Sequence, residues 1–303
     1  MRHINLELVR VTEAAAIAAS AWIGSGQKEP ADKAATDAMK ERLDRMDFSG
    51  KIVIGEGKKD KSYGLFCGDK VGALSGLPRY DLAVDPIEGT RPTVTSGPEA
   101  TSVLAVAKQD SLFQTESFYM QKLAYGPEIA SKTKLDLKDP LSKIIEKVSK
   151  ATGKDKAKIM VCLLDRPRHQ NFIAELRKLN VRIKLIQDCD VSGAIATCLP
   201  RSGIDLLYGV GGAPEAVITA CAIKCLRGDF QAQLAGDKGE VIGGKVYFIQ
   251  DMVRGECAFA ATGITDGSLL RGVRYESSMT VTHSVFMRSE SGTVRWLTTL
   301  HGN

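Results

Sequence analysis

The chain has 303 residues, 25% of them charged and 44% hydrophobic. That is an ordinary globular balance, which excludes a disordered or fibrous protein and leaves room for one large or two medium domains. A formal net charge of +5 is too small over this length for a nucleic-acid or membrane footprint, so any attraction for anions must be local.

In chain order, Ile4, Leu8, Val11, Ala15, Ala18 and Trp22 recur at steps of three and four, one stripe of an amphipathic helix ending at Gly24. Its apolar run falls short of the ~18 residues of a spanning helix. Glu7, Arg10 and Glu13 precede the alanines, a mixture of charges that a secretory signal lacks, so a cytoplasmic protein is expected. A second helix is expected over residues 32–46, with Asp32 at its start, where a carboxylate can cap free N–H groups.

Short β-rich runs follow at residues 51–55, 80–84, 102–107 and 118–125. Residues 126–157 are rich in lysine interleaved with acids, the pattern of a solvated helix and linker. Strand and helix then alternate through residues 159–226, as in an α/β layer with parallel strands. Strands return at residues 246–249, 257–262, 279–288 and 294–300, as an antiparallel edge. The boundary between an N-terminal α+β domain (1–156) and a C-terminal α/β domain (157–303) is expected in the lysine-rich stretch. The seven cysteines include no C-x-x-C pair, so they are read as reduced thiols, not as a disulfide framework or a zinc ribbon.

The chemistry collects where strands end. The run from Tyr80 delivers Asp85, Pro86, Glu88, Gly89 and Thr90: proline breaks the ladder, glycine admits a close ligand, and two acids three apart can share a hard cation. The strand from Lys51 ends in Glu56 and Gly57, a second carboxylate at the same kind of position. The strand from Asp205 enters a turn, Gly211 and Gly212, before a helix whose first turn carries Pro214 and Glu215. Free N–H groups there suit a phosphate. Glu215 would repel that phosphate unless a divalent cation lay between them, and it can equally cap its own helix. Asp165, Arg166, Pro167, Arg168 and His169 follow another strand and offer two forked guanidiniums to phosphate oxygens; His169 joins them or simply starts the helix. Asp188, Cys189 and Asp190 offer acceptors for sugar hydroxyls or form an ordinary acidic turn.

Val53-Ile-Gly-Glu-Gly57, Ala83-Val-Asp-Pro-Ile-Glu-Gly-Thr90, Tyr119-Met120, Arg166-Pro-Arg-His169, Asp188-Cys-Asp190 and Gly211-Gly-Ala-Pro-Glu215, in this order, closely resemble class II fructose-1,6-bisphosphatase. Arg10-Val-Thr-Glu13, the Trp22 to Gly26 turn and Ala31-Asp32 match as well, so the resemblance spans nearly the whole chain. It implies an α/β fold, the layered α-β-α-β-α sugar-phosphatase architecture of the lithium-sensitive phosphatase superfamily. It also implies hydrolysis of the 1-phosphate of fructose 1,6-bisphosphate by water activated with Mn²⁺ or Mg²⁺, in gluconeogenesis, with sedoheptulose 1,7-bisphosphate as a second substrate.

By the resemblance, Asp32 and Glu56 are ligands of one metal, and Asp85, Glu88 and Glu215 of a second. Glu88, Gly89, Thr90, Tyr119, Arg166, Pro167, Arg168, Asp188, Cys189, Asp190 and Gly212 contact substrate. The catalytic residues are Thr90, orienting the water, Glu88 as proton acceptor, and Asp85. A homodimer or homotetramer is expected, with neither nucleic acid nor membrane as partner.

Three departures from the family pattern stand out. Lys58, Lys59 and Lys61 follow Gly57 where acids are usual, which puts the number of metals in question. Cys189 replaces a glycine, a change expected to remove access to positive φ. Residues 235–245 look shorter than the family's. The alternatives are an inositol or other sugar-phosphate phosphatase of the same fold, or a catalytically silent sugar-phosphate sensor.

Overall fold

The computed structural model describes residues 5–56, 64–73, 76, 78–115 and 117–302; Gly57 to Lys61, with the three lysines, lies outside them. The elements in order are α1 (Asn5–Ser20), α2 (Lys28–Asp44), β1 (Ser49–Ile54), β2 (Lys70–Val71), β3 (Arg79–Glu88), α3 (Thr90–Val94), β4 (Thr101–Lys108) and β5 (Tyr119–Tyr125). Next come α4 (Pro127–Ala130), α5 (Leu141–Thr152), β6 (Met160–Leu164), α6 (Gln170–Lys178), β7 (Arg182–Ile186), α7 (Asp190–Ala196), β8 (Leu206–Gly212) and α8 (Ala213–Cys225). The chain finishes with β9 (Asp229–Ala235), β10 (Val241–Phe248), α9 (Ile249–Met252), β11 (Cys257–Gly263), β12 (Arg274–Glu276), β13 (Met279–Arg288) and β14 (Thr293–Gly302). Among the described residues no helix is long and apolar enough to cross a membrane.

Two compact units result, Met1–Gln114 with Val253–Asn303, and Thr115–Met252. This differs from the expected division at residue 156. The lysine-rich stretch lies inside the second unit, and the last strands return to the first, where β11 pairs antiparallel with β4 from Cys257↔Ala107 to Gly263↔Thr101.

In the first unit an eight-stranded mixed sheet runs β12-β13-β11-β4-β3-β1-β2, with β14 also on β13. The stripe of α1 buries Leu8, Val11 and Ala15, and α2 buries Ala35, Met39 and Leu43; both join a core with Ile52, Leu82, Leu104, Ala260 and Phe286. The stripe is wider than a single line, since Val9, Ala16 and Ala19 are buried too, as a helix lying on a sheet requires.

In the second unit a six-stranded sheet runs β10-β9-β5-β8-β6-β7. Only β6 with β7 and β6 with β8 are parallel; β5 and β9 are antiparallel additions, so the expected α/β layer is mixed. Helix α5 covers it with Leu141, Ile144, Ile145 and Val148 and stops at Gly153, whose φ of 70° forms a left-handed cap. In this core lie Leu123, Tyr125, Val161, Leu163, Leu206 and Tyr208.

Candidate active site

In the first unit the acids gather at one sheet edge because β1 and β3 are parallel. Their register reaches Ile54↔Ala83, and two residues further along each strand stand Glu56 and Asp85, on neighbouring strands about 4.8 Å apart. Beyond Asp85 the ladder between β3 and β4 shifts register before Glu88, the bulge that Pro86 imposes by lacking an N–H. The half-buried Asp85 turns its Oδ1 back to accept the Ile87 amide at 3.1 Å. Glu88 is buried, and its Oε2 accepts the hydroxyl of Thr101 at 3.2 Å. Gly89 then takes φ 98°, a left-handed conformation costly to other residues, and so turns the strand into α3 with Thr90 as its first residue.

Asp32 does not cap its helix. The N-cap of α2 is Gln27 and the helix begins at Lys28, so Asp32 is the fifth helical residue, past the free amides. Its Oδ1 instead accepts the Thr90 hydroxyl at 2.8 Å, tying α2 to the turn that carries Glu88. Glu56 is fixed by its backbone: its amide donates to Leu65 O at 3.1 Å and it bridges Phe66 in parallel.

In the second unit the same logic assembles a different set. The C-terminal ends of the parallel strands β6, β7 and β8 face one edge, the usual position of ligands in such sheets. They deliver Arg166 and Arg168, then Asp188 and Asp190, then Gly211, Gly212 and Glu215. Antiparallel pairing of Tyr119 with Gly212 adds Tyr119 to that edge. Arg166 is ion-paired with Asp188. Arg168 donates from Nε and Nη2 to Val210 O at 3.1 and 2.9 Å, and its guanidinium lies 5.0 Å from the centre of the Tyr119 ring, a stacked position in which three of its five donors remain. Burial opposes the charge of Arg168 and lowers its pKa. Pro167 opens a short 3₁₀ turn.

His169 is a structural residue. Fully buried, it shares its Nδ1 proton with Leu164 O at 2.6 Å, while Nε2 accepts the Val210 amide at 2.7 Å. This fixes a neutral tautomer and locks β6 to β8. Burial lowers its pKa, so it offers no charge to a phosphate.

Cys189 corrects the expectation that its side chain removes positive φ. The residue adopts φ 69° and ψ 51° all the same, a left-handed conformation that costs about 1 to 2 kcal/mol outside glycine, and α7 starts directly after it. The turn geometry therefore survives the substitution.

The residue that the sequence reading passed over is Lys122, in the middle of β5. It is 1% exposed, and its Nζ donates to Asp190 Oδ2 at 2.7 Å. The group is tight: a Cβ on Gly211 would overlap Asp190 Oδ2 and come within 3.1 Å of Lys122 Nζ, and one on Gly212 would overlap the Glu215 carboxylate. Pro214 and Glu215 are the second and third residues of α8 after the Gly212 cap, as expected. Glu215 is partly exposed, but its Oε2 is buried without a hydrogen-bond partner among the described residues. Burial raises its pKa, nearby Lys122 opposes that, and Asp190 adds to it.

All of these acids offer hard oxygen donors, which select Mg²⁺ or Mn²⁺ over softer ions, and an orphaned buried carboxylate oxygen at Glu215 suits a cation. The donor chemistry fits such ions. Among the described residues, however, no three His, Cys, Asp or Glu side chains close on one point at ligand spacing.

The profile of the family described as bacterial fructose-1,6-bisphosphatase, glpX-encoded, matches residues 2–301. The chain is 39% identical to fructose-1,6-bisphosphatase 1 class 2 of Escherichia coli (strain K12) over 323 aligned positions, covering 99% of this chain and 95% of that protein. The same figures hold for fructose-1,6-bisphosphatase class 2 of Shigella flexneri. With the acids at the strand ends and a match from one end to the other, the chain belongs to the bacterial class 2 fructose-1,6-bisphosphatase family.

Proposed function

We propose that this chain hydrolyses the 1-phosphate of fructose 1,6-bisphosphate to fructose 6-phosphate and phosphate in gluconeogenesis, acting on the sedoheptulose homologue as a second substrate. The observation that carries the reading is the Thr90 to Asp32 hydrogen bond of 2.8 Å, which ties the Glu88-Gly89-Thr90 turn to the second helix within a chain that matches the family along its length. The layered architecture shared with the lithium-sensitive phosphatases belongs to the same proposal.

In this reading Asp32 and Glu56 hold one divalent ion, and Asp85 and Glu88 a second; Glu215 is assigned to the second on the family pattern alone. When bound, Mn²⁺ or Mg²⁺ supplies charge neutralisation at the ester and a more acidic water. Thr90, whose hydroxyl donates its hydrogen bond to Asp32, keeps lone pairs that accept from a water O–H and so turn that water's own lone pair toward phosphorus. Glu88 accepts the proton. Arg166 and Arg168 hold the distal phosphate through N–H donors in fork geometry, Tyr119 and Gly212 border it, and Asp188 and Asp190 accept from sugar hydroxyls with Cys189 setting the turn between them. A monophosphate would leave the arginines without their anion.

The test is Mn²⁺-dependent phosphate release from fructose 1,6-bisphosphate measured beside inositol 1-phosphate. At least a hundredfold preference for the bisphosphate is expected, and a preference for inositol 1-phosphate would overturn the choice of substrate.

A further inference from the structure

At the other end of β1 and β3 from Glu56 and Asp85, the same sheet gathers positive charge. Register sets Lys51 directly opposite Lys70 on β2 and beside Asp81 on β3, and Ser49 beside Arg79. Side chains alternate along strands, so Ser49, Lys51, Lys70, Arg79 and Asp81 share one face. Gln109, whose amide donates to Arg79 O at 3.2 Å, continues the row. With the backbone of Gly68 and Gly72, Ser49, Lys51, Lys70, Arg79 and Gln109 line a cleft of about 720 Å³, within the range of small-molecule sites, roughly 300–1,000 Å³.

Among the described residues no ion pair covers the cleft's cations, although the carboxylates of Asp81 and Asp69 lie nearby. Asp81 is buried and its Oδ2 accepts the amides of Ser111 and Leu112 at 2.8 and 3.1 Å, and Asp69 Oδ2 accepts the amide of Phe66 at 2.9 Å. Lys51, Lys70 and Arg79 are exposed, and among the described residues none of the three side chains makes an ion pair or a hydrogen bond. Two like charges directly opposite on neighbouring strands oppose folding. Arg79 stands diagonally from Lys51, about 7–8 Å away, so the three cations can bracket one ligand with separated negative groups.

We propose that this cleft binds a small phosphorylated anion carrying at least two negative groups, at a site separate from the one that hydrolyses the ester. Lysines supply point charges and Arg79 a forked donor set, the usual partners of phosphoryl oxygens, and anion binding removes the repulsion between Lys51 and Lys70.

The experiment is isothermal titration of the full, Mg²⁺-loaded chain with inorganic pyrophosphate, for the wild type, the Lys51→Gln/Lys70→Gln double variant and the Arg166→Gln/Arg168→Gln double variant. The proposal expects binding to a site that weakens at least tenfold in the lysine variant and persists in the arginine variant. Unchanged binding in the lysine variant, loss of all binding in the arginine variant, or no binding by wild type overturns it. Thermal melting gives a second reading from Lys70→Gln alone: without pyrophosphate it melts at or above the wild type, and pyrophosphate raises the melting temperature of wild type more than that of the variant. Equal shifts in the two proteins count against the cleft.

Discussion

The two sheet edges that gather the candidate residues are built alike and held differently. In the first unit, hydroxyls and a backbone amide hold acids: Thr90 on Asp32, Thr101 on Glu88, the Ile87 amide on Asp85. In the second, cations hold them: Arg166 on Asp188 and the buried Lys122 on Asp190. Hydroxyl and amide donors orient a carboxylate without themselves cancelling its charge. Ion pairs cancel charge and tie both partners in place, so loss of one partner should be felt as stability in the second unit and as turnover in the first.

The largest effect should come from Lys122→Met. It strands Asp190 as an uncompensated buried charge, at about 3–5 kcal/mol, read as a lower denaturant midpoint. Adding Asp190→Leu should restore at least half of that loss; simple additivity of the two changes would show that the pair is not coupled. Next is Thr90→Val, which removes the donor to Asp32. We expect kcat to fall about a hundredfold, the order of effect of a misplaced reacting group, with KM within threefold and Thr90→Ser recovering most of the rate. A raised KM with normal kcat would reassign Thr90 to binding.

Arg168→Lys should raise KM about tenfold, or about 1.4 kcal/mol, with little change in kcat, because lysine cannot reproduce both the fork on Val210 O and the stack on Tyr119. Equal KM values would mean that the guanidinium only braces the strand end. The smallest effect concerns pH. Burial holds His169 below its ordinary pKa, so the unfolded chain takes up the proton first. The stability is complete above about pH 6.5 and is lost as the pH falls toward the folded pKa, by at most about 0.8 kcal/mol at pH 6. Denaturant midpoints between pH 7.5 and 6 should show this slope in wild type and a flatter one in His169→Gln.

Much of this could be read from the chain because it is local. The acids after Ile54 and Val84, the arginines after Leu164 and the glycine turn before Pro214 all follow short apolar runs ended by proline or glycine, and the structure sets them at or near strand ends, except that β3 continues through Asp85 and a register shift to Glu88. What escaped the reading depends on distant pairing. Asp32 looked like a cap because its partner, Thr90, lies 58 residues away. The domain boundary moved because β11 pairs with β4 across some 150 residues of chain. Strand β9 was missed since Gln231 and Gln233 look polar, yet Gln231 is buried and bonds Leu135 O and the Leu137 amide. Lys122 left one signal, a lysine inside the run from Met120 to Tyr125, whose partner only the fold brings near. At Cys189 the left-handed conformation is strained but not forbidden to a residue other than glycine.

The central claim is that the acids at the first sheet edge carry out a metal-dependent hydrolysis. Its most direct test is phosphate release from fructose 1,6-bisphosphate over a Mn²⁺ titration, comparing wild type with Asp85→Asn, which preserves shape and removes the charge. The account predicts release that rises with Mn²⁺ and saturates in wild type, and falls at least a hundredfold in the variant at every concentration. Equal release by both proteins, or release that ignores Mn²⁺, would contradict it.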